Sequence, residues 1–311
     1  MIKILTLGCL LFFFAGCTMI NSSSSLAYVL YNHEYVLEVD SVALERYLPH
    51  PVTGELIDTR QIVIYRIKYI SDDYEVMGYI AAPADFMDVS YPILILNRGG
   101  HNKAGFGDWT VRPQYVGYFA FRGYIVLASQ YRGGAGGTGT EQFGGDDIND
   151  VLNLINISES FYFAKQDGVF MYGSSRGGMM TYIAVRMDNR IKAAASWAGV
   201  SNLFDAFNKS SPGMQHMLAR LIGGTPDEVP EEFERRSAVF WANEINVPLL
   251  IGHGGDSDRR VHTDHSINLA EILQQYERLH KLVIYPDIGH DIPIEFIDEM
   301  DEWFRKHSNF E

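Results

Sequence analysis

Thiols are almost missing from this chain. Its 311 residues include two cysteines, Cys9 and Cys17, both within or at the end of the first apolar stretch. The body beyond Cys17 therefore holds no disulfide framework, no cysteine-based metal centre and no cysteine nucleophile. Clustered positive charge is missing too. Lys and Arg number 25 against 39 Asp and Glu, for a formal net charge of −14. A nucleic-acid partner needs grouped Lys and Arg to displace counterions from phosphates, and no basic stripe is present, so none is expected. There is no internal repeat, and no low-complexity tract beyond Ser22 to Ser25. The glycine-rich stretch 133–145 lacks the Gly-Lys-Ser/Thr ending of a phosphate-cradling loop. It reads instead as a flexible loop at the rim of a site.

The leading segment does carry information. Met1-Ile2-Lys3 gives a positive start, and the apolar run 4–14 is too short for a stable membrane-spanning helix, which is the shape of a secretory signal. It ends in Phe14-Ala15-Gly16-Cys17, which resembles the lipobox of bacterial lipoproteins. That resemblance implies cleavage before Cys17 and a diacylglyceryl group on its thiol. It also implies a place in the bacterial envelope, on the periplasmic side of the outer membrane or at the cell surface, since Thr18 stands where an Asp would retain the protein elsewhere. The expected organisation is a signal peptide over 1–16, a lipidated cysteine and Ser-rich tether over 17–26, an N-terminal extension over 27–60 and one large domain over 61–311.

Within that domain, alternation over 62–69, the polar Ser71-Asp72-Asp73 and a second run over 74–81 predict an antiparallel hairpin. Short apolar runs then alternate with helical spacing. Strands are expected at 92–97, 124–129, 168–172, 193–197, 247–252 and 282–285, and helices at 111–121, 146–157, 176–187, 265–280 and 294–307. Near-continuous apolar strands indicate burial on both faces, hence a mostly parallel sheet with helices on both sides. Residues 202–245 break the alternation, with helical patches at 214–222 and 231–242, and read as a helical insertion above the sheet, a candidate lid.

Gly173-Ser174-Ser175-Arg176-Gly177 fits G-x-S-x-G between an apolar strand and a helix. A serine on so sharp a turn projects above the sheet, and small neighbours let the chains pass. The helix N-terminus behind it favours a developing oxyanion. A serine hydroxyl needs a base, and His290, just past the last strand, is the candidate. His253 sits beside Gly254-Gly255 and reads as a turn residue; His262 and His265 show no third metal ligand, so no metal is expected. The acid comes from Asp256 or Asp258, which completes the order Ser, Asp, His of α/β-hydrolases. Oxyanion donors are the amides of Arg176 and Gly100. Arg98, His101 and Tyr131 are pocket candidates.

Several segments together resemble the catalytic domain of the prolyl oligopeptidase family of serine peptidases. They are Arg98-Gly99-Gly100, Arg122-Gly123-Tyr124 leading to Tyr131-Arg132-Gly133, and Gly144-Gly145-Asp146-Asp147 with Asp150-Val151. The nucleophile segment Gly173 to Gly178, Arg236-Ser237, Pro248-Leu249-Leu250-Ile251-Gly252-His253-Gly254 and Tyr285-Pro286 with Gly289-His290 extend the likeness. The resemblance implies an α/β-hydrolase fold and an acyl-enzyme mechanism without cofactor. Counted back from Val261, it makes Asp258 the acid, although the segment here is one residue longer than the family pattern. The family's larger members carry a β-propeller, for which this chain has no room. Cleavage of peptide or aminoacyl bonds in small substrates is the leading expectation. A carboxylesterase or deacetylase of small or carbohydrate esters is the alternative, and a lipid-tethered binding protein without catalysis a third.

Overall fold

The computed structural model describes residues 26–49, 54, 56–101, 113–165 and 168–308. The signal segment, Cys17 and the serine tether lie outside the described residues. Helix α1 (Leu26–Tyr31), strand β1 (Val36–Ser41) and a small ribbon of β2 (Tyr47–Pro49) and β3 (Leu56–Asp58) come first. Next, β4 (Ile62–Ser71) and β5 (Tyr74–Pro83) form the expected hairpin, turning at Asp72, which takes φ 52°. Asp tolerates that left-handed backbone better than most residues.

Six further strands build the rest of the main sheet: β6 (Ile93–Asn97), β7 (Ile125–Ser129), β8 (Val169–Ser174), β9 (Ile191–Trp197), β10 (Leu249–Gly254) and β11 (His280–Tyr285). The nine strands run in the order β1-β4-β5-β7-β6-β8-β9-β10-β11, antiparallel as far as β7 and parallel from β7 to β11. Every residue of β6, β7 and β8 is buried, so both faces at the centre of the sheet are covered. The helices that cover it are α2 (Pro113–Phe121), α3 (Asn149–Ser158), α4 (Arg176–Met187), α8 (Asp264–Gln275) and α9 (Ile294–Lys306). Helix α9 shows why: Phe296, Ile297, Met300, Trp303 and Phe304 make one apolar stripe at helical spacing. The described strands all belong to these two sheets, and they close no propeller.

From β6 the chain crosses to β7 on one side and then to β8 on the other. The loops leaving β6 and β8 therefore part at a topological switch point, where open α/β sheets form their binding crevices. That geometry brings segment 98–101 next to Ser175.

Three expectations are corrected. The extension over 27–60 is not merely packed on the domain, because β1 pairs with β4 and forms the edge of the main sheet. The helix expected over 265–280 stops at Gln275. Glu277 takes φ 54°, and the Arg278 amide reaches back to Leu273 O, a left-handed cap with Glu where Gly is usual. Residues 276–279 then turn the chain into β11, which starts at His280 rather than 282. The insertion keeps its helical character through α5 (Leu203–Lys209), α6 (Pro212–Ile222) and α7 (Pro230–Glu234), but the last patch is shorter than expected and continues in two single 3-10 turns.

Candidate active site

Ser175 joins β8 to α4 with φ 56° and ψ −122°, a strained backbone for a residue with a side chain. Its amide donates to Trp197 O at 2.8 Å. The surrounding glycines are explained by contact. A Cβ on Gly173 would stand 2.1 Å from Gly177 O, one on Gly177 would stand 2.0 Å from Asn97 O, and one on Gly178 would stand 2.5 Å from Gly199 Cα. Strand, turn and helix therefore cross at backbone-to-backbone distance, which only glycine permits. Arg176 opens α4, so its amide is one of the first-turn donors that no helical carbonyl reaches.

The histidine and carboxylate expected as base and acid meet in the fold. His290 Nδ1 lies 2.8 Å from Asp258 Oδ2, and Asp258 Oδ1 accepts the amides of Arg260 and Val261 at 2.9 and 3.1 Å. Asp256 is exposed and Asp258 buried, so Asp258 is the carboxylate that His290 meets. Burial by itself would favour the neutral acid. Hydrogen bonds from His253 and His290, the nearby His290 charge and the Val261 amide outweigh it and hold the carboxyl well below its ordinary range. Close packing brings the two loops together: a Cβ on Gly254 would lie 2.1 Å from Gly289 O, and one on Gly255 would lie 2.2 Å from Pro286 O. Gly255 N donates to Ile288 O, and Trp197 Nε1 donates to His290 O at 3.0 Å. Those glycines serve the approach of the two loops. His253 is not simply a turn residue either, since it is fully buried with Nε2 3.4 Å from Asp258 Oδ2.

Behind the oxyanion side lies a buried ionic cluster that sequence reading missed. The Arg176 guanidinium donates to Gly100 O at 3.0 Å and to Asp147 Oδ2 at 2.7 Å, and it also pairs with Glu141. Arg98 Nη2 lies 3.6 Å from Glu141 and donates to Gln130 O at 2.8 Å. Both guanidinium groups stack on the Tyr131 ring, at 4.5 and 4.7 Å. Arg98 and Tyr131 are consequently not pocket residues; both are buried, and they support the wall from behind. The glycine-rich stretch is pinned rather than loose, because Asp147 accepts the amides of Gln142 and Gly144 and places Glu141 inside. Other motif residues prove to be scaffold. Arg132 pairs with Asp150, and Arg122 and Tyr124 bind Asp301 of α9. Arg98 and Arg176 stand far along the chain from Glu141 and Asp147, and none of the four gives a local sign of such pairing.

Ser175, His290, Gly100, Arg176 and His101 share the wall of one cavity of about 1060 Å³. Its other side comes from the insertion, where Leu203, Ala206, Met214, Met217 and Leu218 supply apolar surface from α5 and α6. Arg259 and Arg260 stand at this cavity against Asp291, together with Lys209, which pairs with Asp205 and Asp264. Burial holds the His101 imidazole below its ordinary pKa. His262 and His265 also line the cavity, and among the described residues no group of three or more His, Cys, Asp or Glu is placed to hold a metal ion.

A sheet of this order, with a serine turn at its switch point and a carboxylate-held histidine across the crevice, defines the α/β-hydrolase class. Comparison with known proteins narrows it. The model of the Prolyl oligopeptidase family matches residues 109–311. Over 252 residues the chain is 31% identical to YtmA, an uncharacterized peptidase of Bacillus subtilis, covering 79% of this chain and 95% of YtmA. This chain belongs to the prolyl oligopeptidase family, and it is a serine hydrolase. Other curated relatives are longer, and the chain spans 30–38% of their length. Among solved structures, the acylaminoacyl peptidase of Pyrococcus horikoshii aligns with a TM-score of 0.68 at 21% identity, over 81% of this chain and 43% of that one. An acetyl xylan esterase from Paenibacillus sp. R4 aligns with a TM-score of 0.67 at 15% identity, over 91% and 92%. At these identities the structural likeness speaks for the fold.

Proposed function

We propose that this protein cleaves peptide or aminoacyl bonds of small substrates through an acyl-enzyme on Ser175. The observation that carries the reading is the Asp258-held His290 on the same cavity wall as the strained Ser175. His290 Nδ1 is engaged with Asp258, so Nε2 takes the Ser175 hydroxyl proton as Oγ attacks the acyl carbon. The oxyanion that forms is received by the amides of Arg176 and Gly100. The proton passes from Nε2 to the departing amine, and water then repeats the sequence in reverse and releases the acid. Likeness to YtmA over nearly its whole length supports a peptidase. Arg259 and Arg260 at the cavity suit short peptides with a free carboxylate. The cavity is lined by residues of α5 and α6 of the same chain beside Ser175, and a hydroxyl activated this way also attacks small esters, so an esterase is the second reading.

The test is labelling of the protein with a fluorophosphonate probe beside Ser175→Ala, followed by matched aminoacyl amides and acyl esters. Labelling lost in the variant supports an activated serine. Turnover of the aminoacyl amides as well as of the intrinsically more labile esters supports a peptidase, whereas turnover of esters alone supports the esterase reading. A folded wild-type protein that takes no label would overturn the catalytic reading and leave a binding role. We also propose that a lipid on Cys17 holds the protein in the bacterial envelope, on the strength of Phe14-Ala15-Gly16-Cys17. Metabolic labelling with a radioactive fatty acid should mark the wild type and not Cys17→Ser.

A further inference from the structure

His253 is the penultimate residue of β10, is fully buried, and takes no part in the proton path above. Its Nδ1 lies 2.7 Å from Ser266 Oγ. Its Nε2 lies 3.0 Å from Val261 O and 3.4 Å from Asp258 Oδ2. A carbonyl and a carboxylate only accept, so in the neutral ring the hydrogen must sit on Nε2. Ser266 has a hydroxyl to give, and Nδ1 is left to receive it. One tautomer therefore satisfies every contact.

The consequence falls on Asp258. Its Oδ1 is filled by two backbone amides, while Oδ2 is bonded to His290 Nδ1 and has His253 Nε2, which donates to Val261 O, beside it at 3.4 Å. The bond from His253 to Val261 O also ties the far end of the acid loop to the strand it left. We propose that His253 is a positioning residue, whose Nε2–H holds the acid loop and turns Asp258 Oδ2 towards His290. Ser266, on α8, fixes the tautomer that makes this possible. The titratable groups facing His253 are Asp258, from the acid loop, and His265, from α8. The inference rests on the reading of Ser175, His290 and Asp258 as the triad.

His253 also draws negative charge from the oxygen that stabilises the His290 cation. Without it that cation is favoured more strongly, and the acid limb of kcat/KM moves to higher pH. The experiment compares the full chain with His253→Phe, which keeps a ring but no donor, and His253→Gln, which returns an N–H near the Nε2 position. The Phe variant should lose about tenfold in kcat, the scale of one neutral hydrogen bond, with KM little changed. Its acid limb should rise by a few tenths of a pH unit, and the Gln variant should recover most of both. Equal losses in the two variants with the limb unmoved mean a merely structural role, and so does a folded Phe variant indistinguishable from wild type; either overturns the proposal. If the Phe variant does not fold, nitrogen NMR of histidine-labelled wild type decides. An Nε2–H tautomer at His253 near neutral pH supports the proposal, and an Nδ1–H tautomer overturns it. That spectrum needs no substrate, so its result stands apart from the fate of the Ser175→Ala test.

Discussion

Gly177→Ala is the substitution whose cost follows most directly from the crossing of chains at the nucleophile. Gly177 does not need a left-handed backbone, so alanine is allowed there by its own dihedral angles. The obstacle is Asn97 O, which would stand 2.0 Å from the new methyl, with Arg98 C at 2.9 Å. Ordinary contact begins near 3.4 Å, so the end of β6 and the start of α4 must part by about 1.4 Å. Neither end yields easily. Strand β6 is held between β7 and β8, and Asn97 Nδ2 donates to Thr181 Oγ1 on α4 at 3.0 Å. Whatever gives way shifts segment 98–100 relative to Ser175, and with it one proposed oxyanion donor relative to the other. Overpacking of this kind costs roughly 1–3 kcal/mol in stability, and a displacement near 1 Å at the reacting groups costs about 10²-fold in rate. The assay is the rate of fluorophosphonate inactivation and kcat on an acyl ester, with the urea midpoint measured in parallel. Gly213→Ala, on α6 with nothing within 4 Å of its would-be Cβ, is the control and should keep the wild-type rate with a midpoint equal to or slightly above wild type. A folded Gly177→Ala protein with wild-type midpoint and a rate within about threefold of wild type would refute the argument, since no such displacement can then occur.

Asp258→Asn should lower kcat by about 10³–10⁴-fold, because an amide facing His290 favours the wrong tautomer. The exposed Asp256→Asn should change it little, and the reverse ranking in a kinetic comparison would transfer the role to Asp256. A pH effect on stability follows from His265, whose Nδ1 accepts the Ser201 and Asn202 amides at 3.3 Å. Burial lowers its pKa from 6.5 to about 4 against the opposing pull of Asp205. Between those values the unfolded chain binds a proton that the folded chain refuses, so stability is present above pH 6.5 and is lost as pH falls towards 4, by up to about 3 kcal/mol. Urea titrations should show a flatter pH dependence in His265→Asn, which keeps an acceptor at the Nδ1 position; parallel slopes would exclude this origin.

Much of the protein was legible from residues alone because its signals are local. Continuous apolar runs mark strands buried on both faces, the Asp72-Asp73 turn marks a hairpin, and Gly173 to Gly178 between strand and helix marks the nucleophile turn. Burial and pairing of remote residues decided the rest. The extension joins the sheet because β1 finds the free edge of β4, and its six residues show no pattern that announces a partner. Glu277 ends a helix in a conformation where sequence would lead one to expect glycine. Arg98 and Tyr131 face inward because Glu141, more than 40 residues from Arg98, offsets the buried guanidinium charge. The choice between Asp256 and Asp258 depends on how a loop folds under His290, and the significance of His253 on the same loop. Periodicity along a chain reports which face of an element is apolar. Which polar atom meets which is set by hydrogen bonds and charge across contacts that only the folded chain makes.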